Sequence, residues 1–252
     1  MNKFFALLKS LNKNTDRKRH VTAIIAAAGS GLRMKLDGGL SKQFITVGGK
    51  PVILRTLETF DACDIIDDII VVTRHADIET VKKLTSDAKL TKIRSVILGG
   101  KTRQESVTAA VAELDRQTDF VAIHDGARCI VTDADIRAVV ASAMKTGAAT
   151  AANRVTDTLK EVNDSGVITG TPDREKLWSV QTPQVFQVNL YRSSLANGVK
   201  KRLTVTDDCA LASAAGFRVN VVETSRTNIK ITTPEDLLLV EAILTCGGKQ
   251  NV

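Results

Sequence analysis

The sequence predicts an α/β fold: a doubly wound, mostly parallel sheet with an inserted β-hairpin arm. Short apolar runs rich in β-branched residues alternate with helical patterns from position 21 onward. Strands separated by helices of ten or more residues form βαβ units with right-handed crossovers. Ala, Val, Ile and Leu abound, whereas the chain has one Trp and one Tyr. This composition favours helices packed on a parallel sheet over an aromatic-rich β-sandwich.

The first 152 residues contain five predicted strands and four predicted helices. The strands are at 21–27, 68–73, 93–98, 119–124 and 148–152, and the helices are at 51–62, 77–89, 103–115 and 133–146. In open sheets of this kind, ligands bind beyond the carboxyl ends of the strands. A glycine loop follows the first strand, Gly99-Gly100 follow the third, and His124-Asp125 follow the fourth. All three features are therefore expected at one edge of the sheet.

Residues 153–172 interrupt this pattern, because apolar and polar residues alternate around Asn163-Asp164-Ser165-Gly166. Such alternation about a turn is typical of a β-hairpin. A two-stranded ribbon is marginal in water, so this arm, at about 153–175, is expected to pack on the same arm of a second subunit. After the stretch 177–186 come the remaining predicted elements: helices near 189–197 and 207–215, strands at 218–222 and 228–232, and a closing helix from Pro234.

The net charge of +7 is concentrated at the amino terminus. Residues 1–20 carry +5, and residues 21–252 carry only +2, which argues against a nucleic-acid-binding body. We therefore predict a basic tail, 1–20, followed by a single domain, 21–252. The tail has two interpretations: a short amphipathic helix over 3–13 on an anionic surface, or a solvated extension. The sequence has no apolar run long enough for a transmembrane segment.

The four cysteines are scattered, with no spacing typical of a metal site or a redox pair. Reduced thiols in a cytoplasmic protein are the simplest explanation.

The stretch after the first strand is typical of a phosphate-binding loop. Gly29-Ser30-Gly31 allow the backbone to approach a ligand and turn its N–H groups inward, and Arg33 and Lys42 add two cations. The dinucleotide pattern G-x-G-x-x-G does not fit, because Met34 stands at its last position, and the Walker pattern is absent. A nucleoside triphosphate site is the favoured interpretation, and an ordinary strand-to-helix turn with surface cations is the alternative.

Several motifs occur in an order that resembles the 2-C-methyl-D-erythritol 4-phosphate cytidylyltransferases of the non-mevalonate isoprenoid pathway. The resemblance covers nearly all of 21–245. It rests on Ala26–Met34, Ser41-Lys-Gln-Phe44, Gly99–Val107, His124-Asp-Gly-Ala-Arg128, Gln181–Phe186, Thr206-Asp-Asp208 and Asn228–Asp236.

The resemblance implies a Rossmann-like nucleotidyltransferase that moves CMP from CTP to a polyol phosphate and releases pyrophosphate. It implies that Arg33, Lys42 and Lys230 act on the reacting phosphate, while Gly29, Ser30 and Gly31 hold the triphosphate. Asp125 would coordinate Mg²⁺, a hard cation that prefers oxygen ligands.

Further site residues are expected for the base and for the acceptor. The cytosine would be read near Ala27, Ala28, Gly100, Lys101 and Ser106. The acceptor is expected near Asp125, Arg128, Thr158, Arg174, Thr182 and Thr206. If the arms exchange in a homodimer, Arg174 would act in the neighbouring subunit's site.

Several of these residues have a second interpretation. His124 is predicted to be a structural, hydrogen-bonded residue. Arg128 is either a phosphate contact or an ion-pair partner that holds its loop, and Ser106 either reads the base or faces solvent. The chain also departs from the family at Cys129, where proline is frequent, and at Lys101, where an acidic residue is common.

Two alternative functions remain from the sequence. A ribitol 5-phosphate cytidylyltransferase tends to have Ser-Val where this chain has Gly126-Ala127, and Thr-Asp-Ala where it has Thr206-Asp-Asp208. A non-catalytic nucleotide-binding subunit would be expected to lack Arg33, Lys42, Asp125 or Lys230, and all four are present.

Overall fold

The computed structural model describes residues 17–29, 34 and 41–247. The strands are β1 (Val21–Ala26), β2 (Thr46–Val47), β3 (Lys50–Pro51), β4 (Asp68–Thr73), β5 (Ile93–Leu98), β6 (Phe120–Asp125), β7 (Ala148–Arg154), β8 (Glu161–Val162), β9 (Ile168–Gly170), β10 (Trp178–Gln187) and β11 (Asn220–Glu223). The α-helices are α1 (Val52–Ala62), α2 (Ile78–Asp87), α3 (Arg103–Ala112), α4 (Asp133–Thr146), α5 (Val188–Lys201), α6 (Asp208–Ala214) and α7 (Pro234–Gly247).

Seven strands form one central sheet in the order β11-β7-β10-β6-β1-β4-β5. Strands β6, β1, β4 and β5 pair in parallel, as do β11 and β7. Strand β10 is antiparallel to both of its neighbours, β6 and β7. The predicted doubly wound, mostly parallel α/β fold is thus confirmed.

Helices cover both faces of the sheet. Successive strand residues point to opposite faces, so neighbouring residues of one strand pack against different helices. Ala23 and Ile25 of β1 belong to the core beneath α1 and α4. Ile24, between them, belongs to the core beneath α3, α5 and α6. All three are fully buried, which explains why the central strands are continuous apolar runs rather than alternating ones.

The predicted strand at 228–232 is wrong, since this segment forms no strand in the structure. Its main-chain groups bond to neighbouring loops and side chains instead. The N–H of Ile231 donates to the carbonyl of Ala127 at 2.9 Å, and the carbonyl of Ile231 accepts from Lys42 Nζ at 2.8 Å. Ile229 and Ile231 pack in a small cluster with Val240 of α7. Their alternation reflects packing beneath a helix rather than membership of a sheet.

The predicted arm is a hairpin in the structure, although its paired part is short. Strands β8 and β9 meet across a turn at 163–166, whereas residues 153–154 extend β7 in the main sheet. Val162, Val167 and Ile168 are each more than half exposed. The arm therefore presents apolar side chains that the described part of its own chain leaves exposed.

Residues 17–20, predicted as the end of the tail, are bound to the amino-terminal edge of the sheet. Arg17 pairs with Asp119 and Lys18 with Asp67, both at 2.8 Å. The rest of the tail, including the proposed helix over 3–13, lies outside the described residues. Within the described part of the chain, no helix is long and apolar enough to cross a membrane.

Candidate active site

A cavity of about 510 Å³ opens at the carboxyl ends of β1, β5 and β6. This is the edge at which the parallel topology predicts a ligand. Among the described residues, those that line it are Ala26, Ala28, Gly29, Lys42, Gly100, Lys101, Thr102, Arg103, Ser106, Asp125, Ala127, Lys230 and Thr232.

Asp125, the last residue of β6, is surrounded by cations. Lys230 Nζ lies 2.8 Å from its Oδ2 and Arg103 Nε lies 3.4 Å from its Oδ1. Arg128 Nε approaches Oδ2 at 3.7 Å. Burial opposes the negative charge, but the Lys230, Arg103 and Arg128 charges outweigh it and hold the pKa of Asp125 well below its usual range. The carboxylate is therefore ionised at neutral pH.

Arg128 ties the loop after β6 to the segment after β11. Its Nη1 donates to the carbonyl of Asn228 at 2.7 Å, and Asn228 in turn donates from Nδ2 to the carbonyl of Thr182 at 2.8 Å. Arg128 does not line the cavity. The structure therefore shows Arg128 as an ion-pair partner that holds the loop, and its contact with a phosphate stays a prediction.

The two lysines implied by the resemblance converge on the same wall of the cavity. Lys42 lies on the short 3₁₀ helix Lys42–Phe44, and its mostly buried side chain donates to the carbonyl of Ile231. Lys230 directly precedes Ile231 in the sequence. Lys230 thus pairs with Asp125, and the carbonyl of the next residue, Ile231, holds the ammonium group of Lys42.

Gly99 and Gly100 are glycines because larger residues do not fit. A Cβ on Gly99 would lie 2.5 Å from Cβ of Ala28, and one on Gly100 would lie 2.3 Å from Cβ of Glu105. The hydroxyl of Ser106 accepts from the N–H of Gly100 at 3.1 Å and donates to the carbonyl of Thr102 at 2.8 Å. Ser106 is buried and lines the cavity, so the solvent-facing alternative is wrong.

His124 is a buried structural residue, as predicted. Its Nε2 lies 3.2 Å from the carbonyl of Arg128, which can only accept, so Nε2 carries the proton. Its Nδ1 then accepts from the hydroxyl of Thr182 at 3.1 Å, and that hydroxyl also accepts from the N–H of Asp125. Complete burial, with Arg128 and Lys230 nearby, lowers the pKa of His124 to about 4, although Asp125 acts in the opposite direction.

Several other predicted site residues either do not line the cavity or lie outside the described part of the chain. Ala27 is packed in the core, and the hydroxyl of Thr182 is engaged by His124 and Asp125. Three exposed residues stay outside the cavity of their own chain: Thr158, Arg174 and Thr206. Three more lie outside the described residues: Ser30, Gly31 and Arg33.

Sequence reasoning missed Arg103 as a site residue, although it stands inside the motif Gly99–Val107. It is the first residue of α3, where an arginine is ordinarily solvated. In the structure its Nη1 lies 2.6 Å from Oδ2 of Asp208, which does not line the cavity. The interaction spans 105 positions, so no local pattern indicates it.

The sequence of the chain matches a known family. The sequence profile described as "IspD: 2-C-methyl-D-erythritol 4-phosphate cytidylyltransferase" matches residues 21–246. The chain belongs to the 2-C-methyl-D-erythritol 4-phosphate cytidylyltransferase family. Among similar proteins of that name, the one from Halalkalibacterium halodurans is 41% identical over 223 residues, which are 88% of this chain and 96% of the relative. The one from Parasynechococcus marenigrum is 44% identical over 221 residues, with 88% and 96% covered.

Solved structures of the family show the same fold. The 4-diphosphocytidyl-2C-methyl-D-erythritol synthase of Anaerococcus prevotii superposes with a TM-score of 0.80 at 33% identity, covering 90% of this chain and 97% of that one. The Thermus thermophilus 2-C-methyl-D-erythritol 4-phosphate cytidylyltransferase gives 0.72 at 31% identity, covering 90% and 99%.

The state of His124 predicts a pH dependence of stability. Its folded-state pKa lies below the unfolded value of about 6.5, so the unfolded chain takes up the proton first as pH falls. Stability is therefore lost from about pH 6.5 down to about pH 4. Between pH 7 and pH 5 we expect the free energy of unfolding to fall by about 2 kcal/mol more in the wild type than in His124→Asn.

Denaturant unfolding at both pH values measures this difference. His75→Asn is the matched control, because His75 is exposed and its loss removes a histidine without changing a buried site. Parallel pH profiles for the wild type and His124→Asn would contradict the prediction.

Proposed function

We propose that this chain carries out its family's reaction, the transfer of CMP from CTP to 2-C-methyl-D-erythritol 4-phosphate, in the cavity beside Asp125. The observation that carries the proposal is the convergence of Lys230, Arg103 and Arg128 on one buried carboxylate at the carboxyl edge of the sheet, in a cavity that Lys42 also lines. Such a cluster suits a reaction between two polyanions, since cations must offset their repulsion.

In this reaction an oxygen of the acceptor phosphate attacks the α-phosphorus of CTP. The bond from the α-phosphorus to the bridging oxygen of the β-phosphate breaks, and pyrophosphate leaves with that electron pair. The nucleophile is already an anion, so no side chain has to remove a proton. The work left for the protein is orientation and the stabilisation of negative charge on the transferring phosphate.

We assign the stabilisation of this negative charge to three cations of the site. We assign Lys42 and Lys230 to the α-phosphate, because both line the cavity and are linked through Ile231. Arg33 is assigned to the same phosphate by resemblance alone. Gly100 and Ser106 form the wall beside the base, where main-chain groups and a hydroxyl suffice to read cytosine.

Asp125 fits a role in binding Mg²⁺. It is an ionised carboxylate on the cavity wall, and Mg²⁺ is commonly held by one or two carboxylates together with substrate phosphates and water. The described residues contain no cluster of three or more acidic, His or Cys side chains that would hold a metal without substrate. When bound, the ion would neutralise triphosphate charge.

Purified full-length protein tests the proposed activity. We expect pyrophosphate release with CTP and 2-C-methyl-D-erythritol 4-phosphate. With UTP we expect kcat/KM at least about 10-fold lower, because each unpaired buried partner costs about 1–3 kcal/mol. Faster turnover with ribitol 5-phosphate as acceptor would favour the sister activity, and no release with either acceptor would contradict the proposal.

The assignment of Asp125 is tested by Asp125→Asn, which keeps the shape and removes the charge. We expect the CTP-bound variant to hold Mn²⁺, a probe for Mg²⁺, at least about 10-fold more weakly than the wild type. Electron paramagnetic resonance of free Mn²⁺ measures this binding. Asp133→Asn, an exposed carboxylate at the start of α4, is the control. Equal Mn²⁺ affinity in all three proteins would exclude Asp125 as a ligand.

We further propose that the protein is a homodimer joined through its arms. The apolar side chains of the arm are exposed in a single subunit, and a two-stranded ribbon is marginal in water. Arg174 and Thr158, predicted for the acceptor, do not line the cavity of their own chain. An exchange of arms across a two-fold axis accounts for both observations.

Val162→Ser/Ile168→Ser tests the dimer, since these side chains are 58% and 59% exposed. We expect a folded monomer whose transfer to the sugar phosphate is at least about 10-fold slower, because Arg174 is lost from the neighbouring site. Light scattering and the pyrophosphate assay measure the two effects. Leu238→Ser/Leu239→Ser on α7 is the matched control, since these leucines are 69% and 55% exposed. A fully active wild-type monomer would overturn the proposal.

We also infer a cytoplasmic location. The four cysteines of the chain, all within the described residues, are free, and free thiols are typical of a reducing compartment.

A further inference from the structure

Arg103 lies between two buried carboxylates, only one of which belongs to the cavity. Its Nη1 is 2.6 Å from Oδ2 of Asp208, and its Nε is 3.4 Å from Oδ1 of Asp125. Burial works against the guanidinium charge, but the two carboxylates outweigh it and raise the pKa of Arg103 further. The shorter contact is the one to Asp208, which does not line the cavity.

Asp208 is held in place by three neighbouring elements. As the first residue of α6, it donates its N–H to Oε1 of Gln184 on β10 at 3.0 Å. The hydroxyl of Tyr191 on α5 donates to its Oδ1. Tyr191 is itself fixed by stacking on Phe186, with ring centroids 4.9 Å apart. Both oxygens of Asp208 are therefore engaged, one by Tyr191 and the other by Arg103.

Stability alone is a poor explanation for this chain of contacts. Replacing a buried ion pair by apolar residues of similar size is often neutral or stabilising. The pair also leaves Nη2 of Arg103 buried, without an acceptor among the described residues. A fold that needed only packing here would not require an arginine on the cavity wall.

We propose that Asp208, supported by Tyr191, is a positioning residue that fixes the guanidinium of Arg103 at the nucleotide cavity. Because Arg103 makes its shorter contact with Asp208, it keeps only a longer contact with Asp125, and the cavity keeps a cation in a fixed position. The proposal rests on the function proposed above, since it takes the cavity to be the CTP site.

A double-mutant cycle on CTP affinity tests the proposal. We expect Asp208→Asn to weaken CTP binding, measured by titration calorimetry, by about 10-fold. In the Arg103→Ala background the same substitution is expected to change the affinity by less than about 2-fold, because Arg103 is the group through which Asp208 acts. Tyr191→Phe, which keeps the carboxylate, should weaken CTP binding by about 3-fold and show the same coupling.

Asp207→Asn is the matched control for the start of α6. Asp207 accepts from the N–H of Ala210 and from Gln184, and within the described part of the chain no hydrogen bond or ion pair joins it to Arg103. We expect a lower melting temperature with CTP affinity retained. A merely structural role for Asp208 predicts that its effect persists in the Arg103→Ala background and is matched by Asp207→Asn, and either result overturns the proposal.

The same measurements separate the inference from the proposed function. If the wild type binds CTP and the variants show the expected coupling, but the wild type releases no pyrophosphate with 2-C-methyl-D-erythritol 4-phosphate, only the proposed reaction is refuted. Wild-type protein that does not bind CTP would refute both. If Asp208→Asn fails to fold, Tyr191→Phe decides, and unchanged or uncoupled CTP affinity in that variant overturns the inference.

Discussion

Asp125 carries its charge at the end of a strand that is buried on both faces, and that charge persists only because cations converge on it. They come from three separate places: the first turn of α3, the loop after β6, and the segment before α7. An isolated carboxylate in this position would be strongly disfavoured. The carboxylate therefore organises chain segments that are distant in sequence, and the cavity is the space that remains between them.

The same constraint explains the irregular backbone around the site. The carbonyls of Asn228 and Ile231 accept hydrogen bonds from Arg128 and Lys42, so they are not available to a neighbouring strand. Buried main-chain groups must be satisfied in some way. Here they are satisfied by the long cationic side chains of Arg128 and Lys42, which couples the folding of this segment to the presence of those cations.

The sequence alone was sufficient to predict the features that arise from patterns of neighbouring residues. The apolar runs and helical periods predict the central strands and α1 to α4, and the parallel topology predicts the edge that holds the cavity. The strand expected at 228–232 was wrong, because alternating Ile229 and Ile231 fit a strand and an extended segment under a helix equally well. Arg103 was missed for a different reason: its partner Asp208 is distant in sequence, and only the folded chain brings the two together.

Parallel strands give the molecule two unlike ends. The cavity lies at the carboxyl end of the sheet, and the ion pairs of Arg17 and Lys18 fasten the chain to the amino end. Arg17, the first residue that the structure describes, therefore lies at the pole opposite the substrate entrance. A partner or a solid surface that bound this pole would leave the entrance facing open solution, with access to nucleotide and sugar phosphate retained.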